Sequence, residues 1–68
     1  MQITRHAVER YRERVRPAGP AEVRRQIRGI AEAAEVERDF EDGRYWLRAG
    51  NLRLVVYLDS ILTLIWRG

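Results

Sequence analysis

From Arg44 to Trp66 the chain is rich in β-branched, aromatic and other apolar residues, and two-residue hairpin signals, Gly50-Asn51 and Asp59-Ser60, interrupt the run. This predicts a β-meander. Tight turns would pair Ala49 with Leu52 and Leu58 with Ile61. One face then collects Tyr45, Leu47, Ala49, Leu52, Leu54, Val56, Leu58, Ile61, Thr63 and Ile65. The other carries Trp46, Val55, Tyr57, Leu62, Leu64 and Trp66 among Arg44, Arg48 and Arg53. The first face reads as a core. The second is too apolar to be ordinary solvated surface and needs a partner subunit or a flat, anionic ligand such as RNA.

Upstream the period changes to that of a helix. Thr4 is a good N-cap, and Ala7, Val8, Tyr11 and Val15 form an apolar stripe over Arg5 to Val15. The run Arg-Pro-Ala-Gly-Pro at 16–20 cannot continue a helix, and Pro20 suits the first position of the next one. From Ala21 to Ala34, Val23, Ile27, Ile30, Ala31 and Ala34 again keep helical spacing. Residues 36–40 read as a first strand because Asp42-Gly43 is a hairpin signal. In that register Phe40 faces Tyr45 from the core side, and Glu37 and Glu41 oppose Arg48 and Arg44. The expected architecture is one α+β domain, residues 1–68, with two N-terminal helices packed on one face of a three- to four-stranded antiparallel β-meander.

Composition narrows the setting. A chain of 68 residues makes a small core, so oligomerisation, with a homodimer as the simplest case, would help to stabilise it. With no Cys there are neither disulfides nor thiolate metal ligands, and no apolar run is long enough to span a bilayer. A cytoplasmic protein with no metal, cofactor or membrane partner is expected. The net charge is +3, and all 13 basic residues are Arg. A forked guanidinium suits phosphate and base-plane recognition, while the codon bias of a GC-rich genome, such as a thermophile's, explains the same usage.

Two sets of residues carry candidate chemistry. His6, the only histidine, lies almost opposite the apolar stripe of helix one, on the side of Glu9, Arg10 and Glu13. The cluster fits a general base or acid with an orienting carboxylate, or a salt-bridged face on which the His is incidental. On the outer sheet face, Trp46, Tyr57 and Trp66 could stack bases while Arg44, Arg48 and Arg53 hold phosphates. A homodimer interface enriches the same residue types. Arg67 falls at the margin of the helix-packed face, beside helix one.

The stretch Ile3-Thr-Arg-His-Ala-Val-Glu-Arg-Tyr-Arg-Glu-Arg-Val15, with the closing strand Leu-Thr-Leu-Ile-Trp-Arg at 62–67, resembles a family of small bacterial and phage proteins that share the His-Ala, Glu-Arg, Glu-Arg opening. That family is similar to the RelE-like branch of the barnase, EndoU, colicin and RelE ribonucleases. The resemblance covers the whole chain. It implies a toxin-type, metal-independent endoribonuclease fold with an antitoxin protein as partner, and it carries active-site roles to His6, Arg10, Arg14, Thr63 and Arg67. With Glu13 as orienting partner, the expected catalytic set is His6, Arg10, Glu13, Arg14 and Arg67.

Overall fold

A computed structural model describes residues 1–67. Helix α1 spans Arg5–Arg14 and α2 spans Pro20–Ala33, and both pack on one face of a sheet. The sheet has five strands: β1 Gln2–Ile3, β2 Glu35–Asp39, β3 Arg44–Ala49, β4 Leu52–Tyr57 and β5 Ser60–Trp66. Their order is β1-β5-β4-β3-β2. The α+β class is as the periodicity indicates. The meander is confined to β2 to β5, because β1 joins β5 in parallel, with Ile3 opposite Ile61. A two-residue strand leaves no periodicity to read in the sequence.

Thr4 connects β1 to α1 and to the sheet. Its hydroxyl accepts from the Ala7 amide at 3.2 Å and donates to the Leu62 carbonyl at 2.8 Å, while its own amide donates to the Ile61 carbonyl at 3.0 Å. One side chain thus caps the helix and fastens its first turn to β5. Pro20 opens α2 as its fixed φ predicts. The buried Tyr11 hydroxyl donates to Gln26 Oε1 at 2.8 Å, so the contact between the helices leaves no unpaired phenol.

The core holds Ala7, Val8, Tyr11, Val23 and Ile27 from the helices and Leu47, Leu52, Leu54, Val56, Ile61 and Leu64 from the sheet. Pairing of β3 with β4 is as the tight Gly50-Asn51 turn requires, Ala49 against Leu52 and Leu47 against Leu54. The next turn differs. Tyr57 pairs with Ser60, so Leu58 and Asp59 form the loop, and Leu58 takes a left-handed φ of 54° and is 68 % exposed. It is a turn residue rather than part of the core.

A β-bulge then reverses the rest of β5. Val56 pairs with Ile61 and Val55 with Thr63, which leaves Leu62 as the extra residue. Beyond it, Leu64 pairs with Leu54 and Trp66 with Leu52 on the helix-packed face, while Thr63 and Ile65 turn outward. This corrects the expected faces of all four. Leu64 is 4 % exposed and Ile65 38 %. The acceptor for Thr4 is the bulge residue's own carbonyl, so the irregularity coincides with the attachment of α1.

The β2–β3 hairpin also departs from a two-residue turn. Phe40 donates its amide to the Arg44 carbonyl at 2.8 Å, so the loop is Glu41, Asp42 and Gly43, with the glycine at φ 93°. That moves the pairing by one residue, Asp39 against Tyr45 and Arg38 against Trp46, and turns Phe40 to the outer face instead of the core. A second bulge, at Glu37, places Glu35 opposite Arg48. Val36 stays on the core side but is 61 % exposed at the sheet edge.

Gly43 and Gly29 should respond oppositely to Ala. At Gly43 the positive φ costs an L-residue about 1–2 kcal/mol, and the new Cβ would meet Leu58 Cδ2 at 3.0 Å, a mobile methyl that can yield. Gly29 lies inside α2 with nothing within 4 Å. There Ala should stabilise by about 0.8–1 kcal/mol. Urea denaturation of the two variants checks the pair, and a stable Gly43→Ala protein would contradict the three-residue loop.

Candidate functional site

Residues 6, 10 and 14 recur every four positions and share one flank of α1. The opposite flank, with Arg5, Glu9 and Arg12, borders α2. His6, Arg10 and Arg14 therefore face away from α2. His6, Glu13 and Arg14 are exposed, and Arg10 is half-buried. Among the described residues, none of Arg10, Arg12, Arg14 and Arg16 has a carboxylate within ion-pair distance; the only ion pair on α1 joins Arg5 Nε to Glu9 at 3.3 Å. Among the described residues Arg10 and Arg14 thus stand unpaired on the outward side of α1, with Glu13 as the nearby acid.

The outer sheet face is different. Arg44 Nε lies 2.8 Å from Asp42, Arg48 lies 3.6 Å from Glu35, and Arg53 is ion-paired with Glu37. Each arginine expected to hold phosphate there already has a carboxylate. The Arg44 guanidinium, hydrogen-bonded to the Asp42 side chain, holds that carboxyl below its usual range. Whatever stability this pair adds is present above the ordinary Asp value and lost as pH falls through the lowered one. Trp46 and Tyr57 do lie on this face, whereas Trp66 lies across the sheet opposite Leu52.

Two residues outside the expected set join the outer face. Phe40 packs against Trp46 with ring centroids 6.1 Å apart and planes tilted by 59°. The Arg38 and Arg44 guanidinium carbons each lie 5.0 Å from the Phe40 centroid, so one ring carries two cations. The sequence signal was the alternation of Arg38, Phe40, Arg44 and Trp46, concealed by the loop length.

The remaining candidates are spread along β5. Thr63 sits on the face turned away from α1 and is separated from His6 by the sheet. The Arg67 amide donates to the Asn51 carbonyl at 3.1 Å, extending the ladder past Trp66, and continued alternation puts Arg67 on the outer face rather than at the expected margin of the helix-packed one. Five residues of strand, about 16 Å, separate Arg67 from Leu62, where Thr4 is attached. His6 and Arg67 thus lie toward opposite ends of this part of β5 and on opposite sides of the sheet, so they do not converge on one phosphate. Among the described residues no three His, Cys, Asp or Glu side chains converge as a metal would require. No helix is long and apolar enough to cross a membrane.

Comparison with known proteins finds no matching family model, and no curated protein or solved structure matches the chain.

Proposed function

We propose that the protein binds RNA along the outward flank of α1, through Arg10 and Arg14, and cleaves it in the manner of a RelE-like ribonuclease. The observation that supports this is the contrast in charge: Arg10 and Arg14 have no carboxylate within ion-pair distance among the described residues, whereas Arg44, Arg48 and Arg53 of the outer sheet do. A free guanidinium releases counterions on meeting phosphate, whereas a paired one must first give up its carboxylate. In the reaction, His6 takes the proton of a ribose 2′-hydroxyl and the 2′-oxygen attacks the adjacent phosphorus. The 5′-oxygen then leaves with a returned proton, giving a 2′,3′-cyclic phosphate. The arginines offset charge on the phosphoryl oxygens, while Glu13, nearly two turns and about 10 Å of helix rise beyond His6, is too far along α1 to orient the imidazole as expected.

Neutralising Arg10 and Arg14 together should lower RNA affinity at least tenfold and flatten its salt dependence. Neutralising Arg44, Arg48 and Arg53 should change affinity much less. Filter binding at two salt concentrations makes the comparison. Loss of binding only in the triple sheet variant would move the RNA to the sheet.

A second reading, a non-catalytic module that pairs with another copy or with an antitoxin-type protein through the sheet, draws on the same neutralisation. With Arg44, Arg48 and Arg53 paired to carboxylates, the outer face presents half-buried Trp46 and Val55 with the more exposed Tyr57 and Ile65, a mixture found at subunit interfaces. Incubation with labelled RNA, with and without chelator, separates the two. Cleavage that survives chelation supports the ribonuclease, while intact RNA together with a dimer in sedimentation supports the module.

A further inference from the structure

Between α1 and α2 lies a groove of about 290 Å³ lined by Arg5, Val8, Glu9, Arg12, Pro20 and Arg24. It is on the other flank of α1 from His6, Arg10 and Arg14. Val8 and Pro20 supply its apolar lining, and three guanidinium-bearing side chains and the Glu9 carboxylate complete it. Glu9 offsets Arg5. Glu22, the carboxylate nearest in sequence to Arg24, is occupied by Arg25 and by a 3.1 Å bond from Gln26 Nε2. Arg12 and Arg24 therefore border one groove with no carboxylate partner among the described residues.

Two like charges brought to one cavity repel each other, and half-burial of Arg24 limits how far water screens it. An anion between them removes that cost. Two forked guanidiniums offer more donors than a carboxylate can accept, which favours a tetrahedral oxyanion with several acceptor oxygens. The groove also borders the first turn of α2, where Gly19 supplies no side-chain cap.

We propose that the α1–α2 groove is a binding site for a terminal phosphate or diphosphate group, held by Arg12 and Arg24. The site is separate from the RNA-binding flank and stands whether or not that reading holds. A phosphate of this kind is carried by a free nucleotide or by the 5′ end of an RNA, and the chemistry at the groove is the same for both.

Titration of ¹⁵N-labelled protein with inorganic pyrophosphate tests it. Saturable shifts are expected at the Arg12 and Arg24 Nε–H signals and at the Ala21 and Glu22 amides. Arg12→Gln with Arg24→Gln should weaken binding at least tenfold while sheet amides keep their positions. Arg10→Gln with Arg14→Gln should leave it within about twofold. Lys at positions 12 and 24, which keeps the charge and loses the fork, should fall between. Competition by GTP and by a short RNA with a 5′-phosphate, against the same RNA with a 5′-hydroxyl, assigns the source. Shifts that do not saturate, that survive the Arg12 and Arg24 replacements, or that centre on Arg10 and Arg14 would overturn the proposal.

Discussion

Leu64→Ala should leave most of the protein unfolded at 37 °C, whereas Ile65→Ala should be nearly silent. Removing a fully enclosed Leu side chain costs about 2–5 kcal/mol, and a domain this small rarely holds more than about 3–5 kcal/mol in total. Leu64 is 4 % exposed and pairs with Leu54, which is 0 % exposed, so a cavity at that point opens in the middle of the core. Ile65 faces outward and is 38 % exposed, and its loss should cost well under about 1 kcal/mol. Thermal denaturation of the two variants compares them directly. Strict alternation through β5 predicts the reverse order, so the experiment tests the bulge as well as the core.

If the protein is a ribonuclease, His6→Ala should slow cleavage by about 100-fold to 10,000-fold, the usual contribution of one general acid or base. The fold should be unaffected, because His6 is exposed, and no hydrogen bond of its side chain occurs among the described residues. RNA affinity should fall far less than rate, since the imidazole acts on the 2′-hydroxyl and the arginines hold the phosphates. A rate measured at saturating RNA, with binding measured separately, makes that distinction. Undiminished cleavage would transfer the chemistry to the arginines and carboxylates of α1.

What the sequence revealed depended on where the chain stays regular. Both helices were legible because Ala7, Val8 and Tyr11, and Val23 and Ile27, keep helical spacing with Thr4 and Pro20 marking the starts. The β3–β4 hairpin was legible because Gly50, at φ 61°, allows a tight turn and preserves parity. Beyond each irregularity the assignment inverted. Leu62 adds one residue to β5 and exchanges Leu64 and Trp66 with Thr63 and Ile65, and one extra loop residue before Gly43 sends Phe40 to the outer face. Since strand faces have period two, one uncounted residue exchanges every side chain beyond it. The candidate site was legible on α1, where helical spacing fixes which residues share a flank. On the sheet it was not, because Glu35 and Glu37, which pair with Arg48 and Arg53, depend on the β2 register, and Asp42, which pairs with Arg44, on the conformation of the three-residue loop.

The attachment of Thr4 to Leu62 also orders events in time. The donor and the acceptor are 58 positions apart, so during translation α1 emerges long before the strand that holds it. A helix of ten residues is marginal on its own in water. Closing so long a loop delays the gain that offsets its entropy. Until β5 has left the ribosome, the arginines of α1 have no rigid surface from which to act together. Under the proposed function, a nascent chain would be incapable of concerted action on the RNA that surrounds it during synthesis, and competence would appear only as β5 docks.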